Sequence, residues 1–445
     1  MGRQEADVRQ AIRWGIRHGM IKRAVARRMR AGDPTARLMI DPAVVADPFT
    51  HYDDLRERGR LVDNGIVLHT AHHDVATAIL RSPDLGVVGG PSGEAPAALR
   101  LLVRAGGPGP LGPVTPPSML SVDAPDHTRY RKLVTRAFTA RAVAALRSRT
   151  EEVATGLLDE MAARHGRGEG ADLIDDYAAL LPATVIAEML GAPVDMRRQF
   201  LEWGAGGALS LDAGLSWSEF RRSERDLTAL SAWMQDHFEH IRRNPGDNIL
   251  STLVHAHGAE GKLNDDELTS IAMLLLAAGF ETTVNLIGNG AALLTSHPEQ
   301  LDLLRADPTR WPNAVEEILR IDSPVQRTGR IALRDTEIAE GARMRAGRIV
   351  VIMLGGANRD PAVFTDPGTF DVTRAGAGDH IAFSSGIHYC LGAGLAKMEG
   401  EVGLRALFDR FPDLAPAGPP HRRPTRVLRG YDAMPVHLRP ATVSA

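Results

Sequence analysis

The stretch FSSGIHYCLGAGLA, residues 383–396, holds the only cysteine among the 445 residues of the chain. Apolar residues after Cys390 repeat at helical spacing, so the cysteine lies at or just before the start of a helix. The unpaired N–H groups and the positive dipole end of a helix start favour a thiolate over a thiol. Gly386 and Gly392 carry no side chains, so a flat, bulky group could approach the backbone on both sides. This pattern argues against the usual role of a free cysteine, that of a small buried apolar residue.

Three kinds of chemistry use a single thiolate. A nucleophile requires a base, and His388 is near in sequence, but side chains two residues apart before a helix need not face each other. A structural zinc ion requires four ligands, and the remaining candidates do not form such a set. One thiolate on one metal, with a planar cofactor supplying the other ligands, agrees best with the composition. That cofactor is haem.

The same stretch resembles the haem-binding signature of the cytochrome P450 family. Three further patterns of that family occur elsewhere in the chain in the expected order, and together the four patterns span most of residues 42–440. The matching positions, all implied haem contacts, are Phe383, Gly386, His388, Cys390 and Gly392. The resemblance implies that Cys390 ligates the iron of haem b (heme b, iron protoporphyrin IX). It also implies a mainly α fold with a small β region, with the haem between a long central helix and the helix after the cysteine.

One position in the signature departs from the common pattern. Ser384 stands where many family members have glycine, directly after Phe383. We expect its hydroxyl to lie near the sulfur side of the cofactor, where outer hydrogen bonding tunes a redox potential. We do not expect it to prevent ligation.

The stretch AAGFETT, residues 277–283, places an acid and two threonines inside an apolar helix. By itself this is either a functional acid–alcohol pair or a polar patch satisfied by carbonyls of the same helix. The resemblance favours the first, because Ala278, Gly279, Glu281 and Thr282 match the stretch where the helix loosens beside the haem and dioxygen binds. It implies that Thr282 hydrogen-bonds the bound oxygen and that Glu281 relays solvent protons. The residues that the resemblance places in the substrate pocket are Leu275, Ala278, Gly279, Thr282 and Val325.

The sequence EEILR places Glu317 and Arg320 three residues apart on one helix face, which by itself indicates only a weak surface pair. The resemblance implies instead a buried structural pair beneath the haem. Many relatives add a second arginine from a downstream loop. The matching position in DPGTFDVTR is Thr369, so we do not expect the complete triad.

Haem propionates require cationic partners. His127 and Arg131 in DAPDHTRYR lie four residues apart on one helix face and match propionate-binding positions of the family, as do Arg330 and His388. Singly, each would more often be a solvated charge, but together the four predict a ring around two carboxylates.

The remaining histidine and glycine clusters do not predict a metal site or a phosphate site. HTAHHD places His69, His72, His73 and Asp74 together, but a strand end turning into a helix would scatter them, so we expect no metal site. We expect none at His255 and His257 either. The glycines at positions 86, 89, 90 and 93 lack the following Lys-Ser/Thr pair of a phosphate-binding loop.

Helical patterning dominates the chain, and strand-like pieces are short. The predicted helices cover 126–141, 145–164, 172–190, 194–203, 217–243, 264–296 and 311–321, and the predicted strands 65–70, 330–335 and 348–354. Two glycine-rich, mostly apolar segments, 86–117 and 203–217, read as loops over a binding site rather than as interdomain linkers. They predict a lipophilic small-molecule substrate.

Bulk composition sets few limits. Apolar residues make up 44% of the chain and the net charge is −3, so nothing indicates a nucleic acid partner. A single cysteine cannot form an internal disulfide, which makes the cytoplasm the default compartment. Residues 271–294 are long enough to span a bilayer, but Glu281 near the middle favours a buried core helix over a transmembrane anchor. The expected organisation is a single domain over 41–445 in a monomeric protein.

The first 40 residues form a separate prediction. Ile21, Val25 and Met29 recur every fourth residue among arginines, which predicts a basic amphipathic helix. An arm packed on the body explains this pattern, although a transit peptide or a surface-seeking helix has the same pattern.

The resemblance implies a monooxygenase that inserts one atom of dioxygen into a lipophilic molecule. Because one cysteine leaves none for an iron–sulfur cluster, electrons would come from a ferredoxin and an NAD(P)H-driven ferredoxin reductase. The ferredoxin would dock near Arg129, Lys132 and Lys397. Two alternatives stay open: a peroxide-driven haem–thiolate enzyme, whose members tend to lack the acid–alcohol pair, and a non-catalytic haem sensor or carrier.

Overall fold

The computed structural model describes residues 3–88, 97–256 and 263–438, and it is mainly helical, as predicted. The helices are α1 Arg3–Trp14, α2 Met20–Arg30, α3 Pro34–Ile40, α4 Pro42–Ala46, α5 Phe49–Arg58, α6 His73–Arg81, α7 Ala97–Gly106, α8 Asp126–Val134, α9 Ala140–Gly166, α10 Leu180–Leu190, α11 Arg197–Leu209, α12 Trp217–Arg243, α13 Ile249–Val254, α14 Asp265–Ser296, α15 Pro298–Ala306, α16 Trp311–Ile321, α17 Leu354–Ala357 and α18 Ala393–Arg410.

The β region is small, and its main sheet has the strand order β1-β2-β8-β5-β3. In this sheet β2 and β8 run parallel and the other neighbours antiparallel. A second sheet has the order β4-β12-β9, and β6–β7 and β10–β11 form two-stranded hairpins. The strands are β1 Val62–Asp63, β2 Leu68–Thr70, β3 Leu85–Val87, β4 Ala171–Asp172, β5 Arg327–Ala332, β6 Thr336–Ala339, β7 Ala342–Met344, β8 Ile349–Met353, β9 Ala415–Pro416, β10 His421–Arg422, β11 Tyr431–Ala433 and β12 Pro435–His437.

The long helix α14 crosses the core. It begins with a capping box in which Asn264 and Glu267 each bond the other's backbone N–H, at 2.9 Å in both directions. Pro298 starts the next helix after α14 ends at Ser296. Within the described part of the chain α14 alone has the length and apolar character of a membrane span, but most of it is buried inside the fold. It is therefore a core helix, as predicted.

Helix α18, which follows the cysteine, packs against α9, α14 and α16. Small residues allow close approach: a Cβ at Gly290 would lie 2.6 Å from Leu404 Cδ1, and one at Gly400 would lie 2.8 Å from Leu286 Cδ2. These contacts belong to one cluster of buried side chains that joins α9, α14, α16 and α18. The cysteine loop is thus attached to the most rigid part of the protein.

The predicted helices 217–243 and 311–321 have those bounds, but the prediction that 203–217 is a loop is wrong for its first half. Residues up to Leu209 continue α11, although glycine is a poor helix former. The glycines remove steric bulk, because a Cβ at Gly204 would lie 2.2 Å from Phe280 Cζ and one at Gly206 would lie 2.3 Å from Asp226. Tertiary packing against α14 and α12 thus outweighs intrinsic propensity.

The segment 86–117 is also more ordered than predicted. It contains the end of β3 and the whole of α7, so it is not one long loop. Residues 89–96, which include Gly89, Gly90 and Gly93, lie outside the described residues, as does His257.

The N-terminal segment is helical, as predicted, with a π-helical turn at Gly15–Gly19 between α1 and α2. Its buried face differs from the predicted one. Val25 is buried, but Ile21 and Met29 are exposed, and the chain instead buries His18. The ring of His18 packs against Phe220, and burial lowers its pKa to about 4.

Arg13 joins this segment to the body. Its guanidinium bonds both carboxylate oxygens of Glu224 on α12, at 2.8 and 2.7 Å, and donates to the carbonyl of Gly106 after α7 at 2.8 Å. Trp14 Nε1 donates to the carbonyl of Leu215 in the α11–α12 connection at 3.0 Å. The extension therefore contacts both glycine-rich segments at once.

Replacing Arg13 tests this attachment. In R13A the carboxylate of Glu224, with 9% of its side chain exposed, loses its bidentate partner. Gln10 Nε2 still donates to Glu224 Oε2 at 2.9 Å, so the oxygen left without a partner is Oε1. We expect a loss of about 1–3 kcal/mol in unfolding free energy, the usual cost of leaving a buried hydrogen-bonding group unpaired. Hydrogen–deuterium exchange should rise in α1 and in the α11–α12 connection.

The control is R23A, which removes an exposed arginine of α2. If hydrogen–deuterium exchange in both R13A and R23A matches that of the wild type, Arg13 does not hold the extension in place.

Candidate functional site

A short loop presents Cys390 before α18. The backbone N–H of Cys390 donates to the carbonyl of Phe383 at 2.9 Å, and a 3₁₀ turn at Gly386–His388 lies inside this closed loop. Cys390 is exposed although it lies next to the core. Gly392 is the N-cap residue of α18, so the cysteine precedes a helix start, as predicted.

Gly386 and Gly392 were both predicted to leave space for a flat group, and this prediction fits only Gly392. Gly386 has a φ of +69°, and a Cβ there would lie 2.3 Å from the carbonyl oxygen of Leu80. This position therefore requires glycine because of its contact with α6 and its left-handed backbone. The predicted approach of a flat group is not the reason for glycine here. At Gly392 a Cβ would meet no atom within 4 Å, which leaves the open space that was predicted there.

Ser384 has a φ of +65°, in the left-handed region that favours glycine. This explains why glycine is the common residue of the signature at this position. The Ser384 hydroxyl oxygen is buried and has no hydrogen-bond partner among the described residues.

The surroundings of the thiol act on its charge in opposite directions. Although Cys390 has an exposed surface, the protein atoms packed around its sulfur raise the pKa of the thiol, while the backbone N–H of Gly392 and the positive charge of Arg131 oppose that rise. The helix-start N–H predicted to favour a thiolate is therefore present, but enclosure outweighs it. A metal cation at the sulfur would reverse that balance.

The four predicted propionate ligands come together beside the cysteine loop. His127 on α8 and Arg330 on β5 are buried, and the rings of His127 and His388 lie 4.1 Å apart between centroids. Arg131 makes no ion pair with a carboxylate in the described part of the chain. The nearest carboxylate, Asp123, has its Oδ1 3.8 Å from His388 Nε2.

The positively charged forms of these four side chains are not balanced by nearby negative charge. Burial lowers the pKa of His388 to about 3, and the charges of His127, Arg330 and Arg131 lower it further. Burial likewise lowers the pKa of Arg330, and only Asp123 opposes this change. The buried His388 Nε2 has no hydrogen-bond partner among the described residues. A ligand with two carboxylates would satisfy this cluster, so the residues present fit a haem whose iron lies at Cys390.

Helix α14 is partly exposed at the stretch predicted to activate oxygen. Ala278 is exposed in the middle of an otherwise buried helix, and Gly279 and Thr282 are half-buried, while Leu275 is buried. The predicted loosening of the helix is absent: α14 is a continuous α-helix, and Thr282 Oγ1 donates to the carbonyl of Ala278 at 2.9 Å. Thr282 therefore bonds a carbonyl of its own helix, as the second interpretation of the stretch predicts, while it is only half-buried. Its role in an acid–alcohol pair stays a prediction.

Val325, the last predicted pocket residue, is half-buried and forms an isolated β-bridge with Leu428. It also packs against the apolar cluster of the main sheet. Its position is compatible with a pocket wall, and the bridge fixes its backbone.

Glu281 has a partner that the sequence did not indicate. Its Oε2 accepts from Arg423 Nη1 at 2.6 Å, and Arg423 belongs to the segment between β10 and β11. No local spacing could reveal a contact across 142 residues.

The buried pair of α16 is confirmed by its geometry, and the prediction that the triad is incomplete is wrong. Arg320 bonds Glu317 twice, at 2.6 and 2.7 Å, with both side chains 0% exposed. Arg374, at the end of the same DPGTFDVTR stretch, supplies the second arginine at 3.1 Å from Glu317. Thr369 contributes only its backbone carbonyl, which accepts from both arginines.

No group of three or more metal-ligating side chains forms within the described ranges, including His69, His72, His73 and Asp74. His69 is buried in β2, where burial lowers its pKa to about 4. His73 instead bonds the backbone carbonyl of Asp379.

Comparison with known proteins agrees with this geometry. The profile of the family described as Cytochrome P450 matches residues 311–428. Cytochrome P450 140 of Mycobacterium tuberculosis is 48% identical over 438 residues, 98% of this chain and 99% of that protein. The 6-deoxyerythronolide B hydroxylase of Saccharopolyspora erythraea is 44% identical over 327 residues, 72% and 78% of the two chains.

Solved structures of cytochromes P450 have the same fold as this chain. The crystal structure of P450BioI in complex with acyl carrier protein ligated to hexadec-9Z-enoic acid superposes with a TM-score of 0.80, at 31% identity, over 89% of this chain and 100% of that chain. These matches define a haem–thiolate oxidoreductase. The chain belongs to the cytochrome P450 family and is a P450 monooxygenase.

Glu399 on α18 is a further buried group that the sequence analysis missed. It is 1% exposed, and neither carboxylate oxygen has a hydrogen-bond partner among the described residues. Burial raises its pKa well above the ordinary value, and the nearby hydroxyl of Thr283, which donates to the Gly279 carbonyl at 3.3 Å, opposes this only in part.

This carboxyl should make stability depend on pH. A carboxyl whose pKa is raised in the folded state stabilises the fold fully at pH values below its ordinary pKa. This stabilisation is lost as pH rises toward the pKa of the folded state. Between those pKa values, each pH unit costs up to about 1.4 kcal/mol. We expect E399Q to lack this loss, so its advantage in unfolding free energy over the wild type grows from pH 5 to pH 8 in urea titrations.

The control is E340Q, which changes an exposed glutamate in a turn. Its unfolding free energy should depend on pH as that of the wild type does. Parallel curves for E399Q and the wild type would show that Glu399 is already ionised in the folded protein.

Proposed function

We propose that this enzyme uses haem b to insert one atom of dioxygen into a C–H or C=C bond of a lipophilic small molecule. The second oxygen atom leaves as water, with two electrons and two protons consumed. The observation that carries the proposal is the single thiol beside a cluster of cations that has only one carboxylate near it. Family membership supports the reaction class.

In this proposal the cysteine loop and the cation cluster hold the cofactor. Cys390 ligates the iron, and Phe383, Gly386 and Gly392 shape the loop around it. The propionates bind the cation cluster, formed by His127, Arg131, Arg330 and His388. When bound, the haem supplies the activation of dioxygen.

The remaining roles fall to α14 and its surroundings. The apolar surface of Leu275, Ala278, Gly279 and Val325 orients the substrate and excludes water. At rest Thr282 donates its Oγ1 proton to the carbonyl of Ala278, and in this proposal it turns that proton toward the open side of the helix. Glu281 receives protons from solvent and passes them to Thr282, which suits a reaction that consumes protons.

The substrate class that we propose to test first is a polyketide lactone. The 44%-identical relative is named for hydroxylating 6-deoxyerythronolide B, and P450BioI was crystallised with an acyl-carrier-bound fatty acid. Both names describe large lipophilic molecules. The apolar open face of α14 at Ala278 agrees with such a substrate.

Electrons would arrive from an external ferredoxin, reduced by an NAD(P)H-dependent reductase. Among the cations predicted for docking, Arg129 is paired with Glu267 at 2.5 Å and Lys397 with Glu316 at 2.9 Å. Arg136 and Arg141 are exposed, and the start of α9, which contains Arg141, lies beside the first turn of α18, since Val143 is 4.0 Å from a Cβ at Gly394. We assign ferredoxin docking to these two arginines together with Ile387 and Tyr389, two exposed residues of the cysteine loop.

We further propose that residues 41–445 work as one haem-binding domain, and residues 1–40 as an extension packed on it. The contacts of Arg13 and Trp14 support this division. We propose a cytoplasmic monomer with no nucleic acid partner and no transmembrane anchor.

The function is tested by supplying surrogate ferredoxin, reductase and NADPH with a panel of lipophilic compounds that includes macrolactones. We expect NADPH-dependent oxygenated product and a ferrous carbon monoxide spectrum of the thiolate-ligated type. C390S should lose that spectrum and all product, because a serine hydroxyl does not replace the thiolate.

S384G, in the same loop, is the matched control. Glycine suits a φ of +65°, so this variant should keep the spectrum and unfold no earlier than the wild type. An unaltered spectrum in C390S, or normal haem loading with no product from any compound, would contradict the proposed function.

The docking proposal makes its own prediction. R136E and R141E should each raise the KM for ferredoxin about fivefold, or ~1 kcal/mol, without changing the carbon monoxide spectrum. The effect should shrink as salt is added. R345E, at an exposed site beside β7, serves as the control, and an equal rise in KM there would mean that only net charge matters.

A further inference from the structure

The two glycine-rich segments are attached to different parts of the candidate site. Segment 86–117 begins in β3, which pairs with the cation-bearing strand β5, and it leads to α8, which carries His127. Segment 203–217 begins in α11, where a Cβ at Gly204 would lie 2.2 Å from Phe280 of α14. The first segment is therefore continuous with elements of the cation cluster, and the second with a helix packed on α14.

The two segments approach each other at α12. A Cβ at Gly112 would lie 3.2 Å from Leu227 Cδ1, and a Cβ at Gly207 would lie 3.4 Å from Leu227 Cδ2. One side chain of α12 thus contacts both segments. This contact is apolar and therefore non-directional, so it does not by itself fix one arrangement of the segments.

The directional bonds come from the N-terminal extension. Arg13 of α1 bonds both carboxylate oxygens of Glu224 on α12 and donates to the carbonyl of Gly106 at the end of α7. The Arg13 side chain is 15% exposed and that of Glu224 is 9% exposed, so salt and water screen this pair little. Since a bidentate guanidinium–carboxylate bond fixes distance and direction, Arg13 ties α7 to α12.

The extension also holds the end of the second segment. Trp14 Nε1 donates to the carbonyl of Leu215 at 3.0 Å, and the backbone N–H of Leu215 donates to His18 Nδ1 at 3.3 Å. The start of the same connection is held elsewhere, because both carboxylate oxygens of Asp212 accept from the backbone N–H of Arg426. The β10–β11 hairpin thus holds the start of the α11–α12 connection, and the extension holds its end.

Helix α7 lies at the periphery of the fold. Within the described part of the chain it packs chiefly against α1, and its Leu101 and Leu102 side chains are exposed. A helix with so little packing on the core belongs to the part of a protein that opens at low cost in free energy. The position of α7 therefore depends largely on its attachment to the extension.

We propose that α1 is a strap that holds the two segments together over the site and sets the rate at which bulky ligands enter and leave it. When the bonds of Arg13 break, α7 moves away from α12 and the passage between the segments widens. The bonds form again over the free and the ligand-bound site alike, so the strap controls rates more than affinity. This inference rests on the proposed function, since it takes the haem and substrate pocket to lie beneath the segments.

The first test follows ligand binding to the haem-loaded protein and requires no turnover. Clotrimazole, a bulky azole, and imidazole, a small one, each shift the haem absorbance on binding, so stopped-flow mixing gives their association and dissociation rate constants. In R13A we expect both constants for clotrimazole to rise about fivefold or more, with its Kd within about twofold of the wild-type value, because the strap opens more easily. The constants for imidazole should stay at wild-type values.

Three further variants identify the contact responsible. R13K keeps the charge but cannot bond two carboxylate oxygens and a carbonyl in one plane, so it should resemble R13A. W14F keeps an aromatic ring without the bond to the Leu215 carbonyl, and it should raise the clotrimazole constants by a smaller factor. R23A, at an exposed site of α2, should bind both azoles as the wild type does.

Two results would overturn the strap. One is wild-type clotrimazole constants in both R13A and W14F. The other is an equal rise in the imidazole constants, which would indicate general loosening of the protein instead of a wider passage.

Hydrogen–deuterium exchange gives a second readout that needs no ligand. In R13A, exchange in α7 and at the end of the α11–α12 connection should rise together, because one strap holds both. A rise confined to one of the two segments would show that they open independently and would contradict the inference.

These outcomes are separate from failure of the proposed function. If the wild type binds haem and both azoles but forms no product from any compound, the proposed function fails, and the rate constants still decide the role of the strap. If the wild type forms product while R13A and W14F bind clotrimazole at wild-type rates, only the strap fails.

Discussion

The chemistry of this site depends on charges that the polypeptide alone does not neutralise. Enclosure disfavours the thiolate form of Cys390, and burial disfavours the protonated form of His388 and the charged form of Arg330. Each group is thus placed where its charged form needs a partner of opposite sign. A porphyrin with a central metal cation and two carboxylates provides both partners at once, so cofactor binding and electrostatic neutralisation are the same event. For this reason haem binding should contribute directly to the stability of the fold.

An unsatisfied site of this kind requires a scaffold that does not collapse around it. The pair of Glu317 and Arg320, completed by Arg374, ties α16 to the backbone carbonyls of the segment that leads to the cysteine loop. Breaking a buried pair is costly, because the remaining charge stays buried without a partner. Small residues then bring α14 and α18 together at Gly290 and Gly400. The two walls of the site are therefore fixed independently of the cofactor.

Much of this arrangement could be predicted from the sequence, because the chemistry-bearing residues occur in local motifs. The cysteine stretch, the acid–alcohol pair and the four propionate ligands each required only short-range spacing and a resemblance. The capping box before α14 and the proline after it marked the ends of the core helix, since capping depends on adjacent residues.

The parts that escaped prediction depend on contacts distant in sequence. Glycines made residues 203–209 resemble a loop, yet the same glycines allow α11 to pack on Phe280. Arg374 was missed because Thr369 had been assigned to its position, and only the backbone path shows which side chain reaches Glu317. The partner of Glu281 lies on a hairpin near the C-terminus, and Glu399 has no local pattern that marks it as buried.

The acid and the alcohol of α14 share one property in this structure, since each is bonded elsewhere. Thr282 donates its only hydroxyl proton to the carbonyl of Ala278, and Glu281 is bonded to Arg423. A hydroxyl has a single proton, so Thr282 cannot donate to a ligand on its open side while it bonds its own helix. In the proposed function, proton delivery therefore requires two hydrogen bonds to break, one within α14 and one between α14 and the β10–β11 hairpin. Both bonds involve the same helical turn, so a small shift of this turn would release both groups together.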